Sequence, residues 1–295
     1  SYISFYFIEC RFRKNNIQKQ VPYASTKKVG AFAFILLMLF FSMKLNQLLI
    51  EPLPEELTQY ADEREICHGK ILDDCSKGDK DSLKKVLFLG DSHAAQLNEF
   101  ADQVGKINGI NFQIITASSC ITIPNFDLER LPQWAQKPCA EQIDTSQKLL
   151  LQAEDIILAG KWDYQTQSSK FIEAIDTFFY QANLRKQHVI VLAQIPMLSS
   201  NVQRVNRFNQ LGVPSKILQN NNWKEANKTI LKLSEQYPYV NYLDLSEIPL
   251  FSTVPYHEGK LIYFDESHLN EVGSRLYGIA AATYLNFTHE INNVP

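Results

Sequence analysis

The sequence predicts an α/β fold, a three-layer α/β/α sandwich around a parallel five-stranded sheet, preceded by one transmembrane helix. Two observations predict it. Five short, continuous apolar runs after residue 83 are separated by stretches of helical spacing, the pattern of buried parallel strands with helices on both faces. Ahead of them, residues 29–50 form one apolar run of a different kind, VGAFAFILLMLFFSMKLNQLLI, interrupted by a single charge at Lys44.

That run is apolar all round a helix rather than along a stripe. At ~1.5 Å per residue it reaches across a hydrocarbon layer of ~30 Å. Lys44 lies towards one end, where its stem can carry the ammonium to the interface. Residues 11–28 hold Arg11, Arg13, Lys14, Lys19, Lys27 and Lys28 and no acid, whereas 51–65 hold six acids and Arg64 alone. This bias places residues 1–28 in the cytoplasm and everything beyond 50 across the bilayer. The run is too long for a cleaved signal peptide, and no small-residue cleavage site follows it. Residues 51–82, polar and proline-containing, read as a connector to a domain at 83–290.

Within that domain VLFLG (86–90) is the first strand, and Leu97, Phe100, Ala101 and Val104 mark the helix behind it. FQIIT (112–116), DIILAG (155–160), HVIVLAQ (188–194) and VNYLDL (240–245) are the other four strands. Further helices fall near 140–153, 169–185, 223–236 and 270–287. The totals, 29 basic against 32 acidic residues for a net charge of −3, lack the basic excess of a nucleic-acid binder.

Cys10 precedes the apolar run, while Cys67, Cys75, Cys120 and Cys139 follow it. Four exported cysteines allow three pairings, of which the local one, Cys67–Cys75 with Cys120–Cys139, is the simplest. Cys67-His68 is the best fragment of a metal site, but no C-x-x-C or H-x-x-x-H spacing accompanies it, and no metal is expected. Asn-x-Thr triplets at Asn227 and Asn286 would be glycosylated only in a eukaryotic secretory route.

Ligands of open α/β sheets bind beyond the carboxyl ends of the strands. The first strand ends in Gly90-Asp91-Ser92-His93, where a strand-to-helix turn exposes a serine hydroxyl beside a helix N-terminus. Taken alone, this is also how an ordinary helix cap looks. Near the other end of the chain, Asp265-Glu266-Ser267-His268 sets a carboxylate three residues before an imidazole. Asp265 can hold the ring of His268 while its far nitrogen takes the proton of Ser92.

VLFLGDSHAAQL, VLAQIP (191–196) and FDESHLNEVGS resemble the SGNH (GDSL-type) hydrolase family, whose fold is flavodoxin-like. The likeness is closest to the domain fused to acyltransferase family 3 membrane proteins, bacterial O-acetyltransferases of surface glycans. Phe7-Ile8-Glu9-Cys10-Arg11-Phe12-Arg13 is similar to the end of their membrane domain, with its proline replaced. The resemblance implies a bacterial inner-membrane protein with a periplasmic C-terminal domain. Its partners would be the acyltransferase membrane domain, the lipid bilayer and a glycan acceptor such as lipopolysaccharide. Acetyl-CoA would be the ultimate donor, reached through the membrane domain, and no cofactor would bind this one.

Two departures bear on the oxyanion site. The second strand leads into Ser118-Ser119-Cys120 without the family's Gly, and the third into Gly160-Lys161-Trp162-Asp163-Tyr164 without its Asn. The N–H groups of Ser92 and of a residue near Ser119 are the candidate donors. Trp162 and Tyr164 read either as a sugar-stacking platform or as core. The implied chemistry is acyl transfer through Ser92. A carbohydrate esterase and a non-catalytic glycan-binding module are the alternatives.

Overall fold

The computed structural model describes residues 23–285, apart from the side chains of 23–29 and Gln47. The Phe7–Arg13 segment, the rest of residues 1–22 and Asn286 lie outside the described residues. The chain divides into two units after Pro52.

The first unit contains helix α1, Tyr23–Leu49, whose apolar residues form no stripe. Its large side chains from Phe32 to Leu45 are exposed. Among the described residues no helix is long and apolar enough to cross a membrane.

The second unit is built on a sheet of six strands: β1 (Ser76–Gly78), β2 (Lys85–Gly90), β3 (Asn111–Thr116), β4 (Asp155–Ala159), β5 (His188–Leu192) and β6 (Val240–Leu243). Their spatial order is β1-β3-β2-β4-β5-β6. The five strands expected from the apolar runs are all present and parallel. The sixth, β1, adds an antiparallel edge on β3, pairing Ser76 with Gln113 and Gly78 with Asn111. Ser-Lys-Gly has no apolar residue to announce a strand.

Side chains alternate between the two faces as a strand requires. Val86 and Phe88 face a core shared with α4 (Asn98–Asn108) and α10 (Glu271–Ala281). Leu87 and Leu89 face the opposite core, with α5 (Gln133–Leu150), the one-turn α6 (Trp162–Gln165), α7 (Ser169–Leu184) and α9 (Asn222–Ser234). Helix α5 begins seven residues before the expected start at 140 and contains Pro138; Cys120–Cys139 and the buried Ala135 hold its first turns to the sheet despite the proline. Helix α8 (Val202–Gln210), buried only through Val202 and Val205, was not evident in the sequence. The last helix ends at Ala281, earlier than expected.

Residues 53–82 are part of this unit, which corrects their reading as a connector. Leu53 packs on the first core, Ile66 and Ala61 are buried against Ala95, and short helix α2 spans Glu55–Thr58. Polar composition misled here because the segment covers the domain with a few apolar anchors. The cysteines pair locally, Cys67–Cys75 and Cys120–Cys139, with Cα separations of 5.5 and 5.9 Å. Asn227 is buried and exchanges hydrogen bonds with the backbone of Gln194, so its Asn-x-Thr triplet serves the fold.

Strand order reverses between β3 and β4 on either side of β2, so the crevice of this sheet opens at the carboxyl end of β2. That end is Gly90. A Cβ there would lie 1.9 Å from the Ala159 carbonyl oxygen and 2.6 Å from the Ala94 Cβ. Gly90→Ala is therefore expected to destabilise by at least ~3 kcal/mol, since backbone must move. Thermal unfolding should show a drop of roughly 6–12 °C.

Candidate active site

Asp91 follows Gly90 and caps the one-turn helix α3 (Ser92–Ala95), accepting a hydrogen bond from the His93 N–H at 2.8 Å. Its carboxylate is 1% exposed. It also accepts from the Lys161 N–H at 3.2 and 3.0 Å and from Gln165 Nε2 at 2.7 Å. Burial pushes its pKa up, against the pull of these donors. The cap thus ties β2 to the chain leaving β4, and it holds Ser92 at the first position of α3.

The second half of the site is the loop between Tyr263 and Asn270. Phe264 N–H donates to the His268 carbonyl at 2.8 Å and Asn270 N–H to the Ile262 carbonyl at 3.1 Å, closing the loop on itself. Asp265 Oδ1 accepts from the N–H groups of Ser267 and His268, both at 2.7 Å. Its Oδ2 meets His268 Nδ1 at 2.9 Å, and His268 Nε2 meets Ser92 Oγ at 2.9 Å. Burial acts to raise the Asp265 pKa, but the hydrogen bonds and charge of His268, with the Ser267 N–H, outweigh it and hold it low. Gln96, at the end of α3, joins the halves: its Oε1 accepts from the Leu269 N–H and its Nε2 donates to the His93 carbonyl. Ser92, His268 and Asp265 therefore form one hydrogen-bonded row, with Ser92 and His268 brought together across 176 positions of sequence.

A hydroxyl in contact with a carboxylate-held imidazole can be deprotonated as it attacks a carbonyl. Such an attack needs donors for the oxyanion. The N–H groups of Ser92 and Ser119 have no acceptor among the described residues. Ser119 adopts φ +58°, the left-handed conformation that glycine takes without strain. Gln165, fully buried, bridges the two parts by donating to Asp91 and, at 3.3 Å, to the Ser119 carbonyl. Arg130 in turn donates to both oxygens of Gln165, its guanidinium against the rings of Phe126, Tyr164 and Phe171.

The platform reading of Trp162 is corrected. Its indole is fully buried, donates to the Leu192 carbonyl at 2.8 Å and stacks on Phe171. Tyr164 is half-buried with Arg130 at 4.7 Å from its ring centre. Lys161, between them and Asp91, is paired with Asp163 at 2.8 Å.

Three residues outside the sequence-derived set surround the row. Tyr60 stacks on the His268 ring at 5.2 Å, and His93 lies 4.7 Å from that ring. His68 spends Nδ1 on Thr116 Oγ1 and Nε2 on Ser118 Oγ, each at 3.0 Å. With Cys67 in a disulfide, Cys67-His68 offers no free metal ligand. The signal for His93 was its place beside the nucleophile candidate. His68 stood out only as part of the Cys67-His68 fragment, and Tyr60 had no signal, because a single polar residue in an irregular segment carries no period.

Residues 59–281 match the model of the SGNH domain fused to AT3 domains. The chain belongs to this family. No curated protein matches the sequence. Among solved structures, this SGNH chain is similar to the periplasmic domain of the Salmonella ser. Paratyphi A lipopolysaccharide acetyltransferase, at 14% identity and a TM-score of 0.49 over 70% of this chain and 85% of that one. It is also similar to the C-terminal catalytic domain of Streptococcus pneumoniae peptidoglycan O-acetyltransferase A, bearing a methylsulfonyl adduct, at 15% identity and a TM-score of 0.36 over 68% and 92% of the two chains.

The histidines set a pH limit on this SGNH fold. Burial, then the charges of His268 and Lys70, pull the His68 pKa down from its usual 6.5 to about 4. Burial acts on His93 in the same direction. A lowered folded-state pKa means that stability is complete above the unfolded value of ~6.5 and drains as pH falls towards the folded value. Unfolding by urea should show His68 alone removing on the order of 2 kcal/mol between pH 7.5 and 5. His68→Gln should flatten that part of the profile.

Proposed function

We propose that the chain is the exported part of a membrane-tethered O-acetyltransferase that modifies a cell-surface glycan through an acetyl-serine intermediate. The observation that carries this reading is the row Ser92 Oγ–His268 Nε2 and His268 Nδ1–Asp265 Oδ2, with 2.9 Å at both contacts. Its family, SGNH domains fused to AT3 domains, supports a partnership with an acyltransferase membrane domain.

In this mechanism His268 takes the Ser92 proton as Oγ attacks the acetyl carbonyl. The N–H groups of Ser92 and Ser119 receive the negative charge, while Asp265 stabilises the imidazolium. Collapse of the tetrahedral species expels the donor's leaving group, which takes the proton from His268 and leaves acetyl-Ser92. A sugar hydroxyl, deprotonated by His268, then attacks the ester. Its collapse releases the acetylated glycan and returns the proton to Ser92. Water in place of the sugar makes the same machinery an esterase, so exclusion of water separates the two outcomes.

The domain binds no cofactor of its own in this scheme. Acetyl-CoA is the ultimate donor, its acetyl group delivered by the membrane domain. The apolar run 29–50, read from the sequence, is the anchor in the bacterial inner membrane, with the basic residues before it cytoplasmic and the SGNH domain periplasmic. The acceptor class is a surface polymer such as lipopolysaccharide.

The test uses the 295-residue chain in detergent, releasing an aryl acetate with and without added oligosaccharide. Ser92→Ala and His268→Ala should each lose at least ~10³-fold in turnover. Acetylated oligosaccharide among the products supports transfer, whereas acetate alone would make the domain an esterase. Turnover at the uncatalysed background in wild type and both variants would leave a glycan-binding module.

A further inference from the structure

The reaction proposed above asks one thing of His268 that its hydrogen bonds alone do not supply. Asp265 grips Nδ1 and is itself immobilised by two N–H donors at 2.7 Å. This fixes one edge of the ring. A planar ring gripped at Nδ1 can still tilt out of plane, and tilting swings Nε2 away from Ser92 Oγ. A face-to-face contact opposes that motion.

Tyr60 makes such a contact. Its ring lies 5.2 Å from the His268 ring centre, with 25° between the planes. Aromatic pairs at this separation attract beyond the surface they bury. The Tyr60 ring is held from other sides by Phe264 at 6.0 Å and His68 at 6.3 Å. The next residue, Ala61, is buried with Ile66 against Ala95, the last residue of the short helix begun by Ser92. The strap that carries Tyr60 is thus seated on the same helix turn as the nucleophile. It continues through His68 to Ser118, beside the Ser119 turn. The Tyr60 hydroxyl has no hydrogen-bond partner among the described residues, so the ring is the part in use.

We infer that Tyr60 is a positioning residue of the acyl-transfer site: its ring holds the plane of His268 so that Nε2 stays aimed at Ser92, and it offers an electron-rich face to the imidazolium as that forms. This rests on the reading of Ser92, His268 and Asp265 as an acyl-transfer triad. His268 serves as base in both half-reactions, so Tyr60 influences both alike.

The experiment compares wild type, Tyr60→Phe, Tyr60→Leu and Ser92→Ala as full chains in detergent, acting on an aryl acetate. Competent sites are counted by labelling to completion with a sulfonyl fluoride, and turnover is expressed per labelled site. Misfolding lowers the number of labelled sites and leaves turnover per site unchanged. A mis-aimed base lowers turnover per site.

Tyr60→Leu should lose about 10–100-fold in kcat per labelled site with KM within about twofold, the penalty of a base displaced by ~1 Å. Tyr60→Phe should stay within about twofold of wild type. The inference is overturned if Tyr60→Leu keeps its kcat per site, if its only change is in KM or in the number of sites, or if Tyr60→Phe falls as far as Tyr60→Leu. A Ser92→Ala chain as active as wild type instead removes the underlying triad, a result distinct from any of these.

Discussion

The site depends first on a buried carboxylate. Asp91 sits where β2 ends, almost out of contact with water, and receives the N–H groups of His93 and Lys161 and the amide of Gln165. Desolvating a carboxylate is costly unless donors replace its water, and here they come from two neighbouring strand ends and a helix beyond. The penalty for losing any one donor is what forces these segments into register. Ser92 inherits its place from that register, and so does the Ser119 turn through Gln165.

How much of this was legible follows from where apolar period and chemistry coincide. The five parallel strands were visible because burial on both faces leaves no polar residue to interrupt Val86–Leu89 or Ile156–Leu158. Ser92, Asp265 and His268 were visible because each stands at the end of an element, in a spacing with a chemical use. Edge strand β1 and the strap at 53–82 were not, since a three-residue polar strand and a surface wrap are fixed by tertiary contacts and a disulfide. Trp162 illustrates a different limit. An indole suits a sugar face and a protein core equally, and only the space beside Gly160 and Phe171 decided for the core. Gln165 escaped notice for a related reason: a glutamine on a helix carries no signal until its partner, Asp91, is known.

The strap changes what counts as the domain. An α/β sandwich alone would leave the His268 ring bare on the side that Tyr60 covers and the Ser118 hydroxyl without its imidazole partner. Two elements that sequence order places far apart, the segment after the apolar helix and the loop before the last helix, meet over Ser92. The loop carrying Asp265 and His268 is thereby held by Gln96 from below and Tyr60 from its ring face.

Both disulfides are found on chain that touches this arrangement. Cys67 is the neighbour of His68, and Cys120 is the neighbour of Ser119. Each therefore staples one flank of the site, closing loops that add stability by restricting the unfolded chain. Thiol-reducing surroundings leave both staples open. Their loss would loosen the two flanks of the site together, while the parallel strands, which carry no cysteine, keep their pairing.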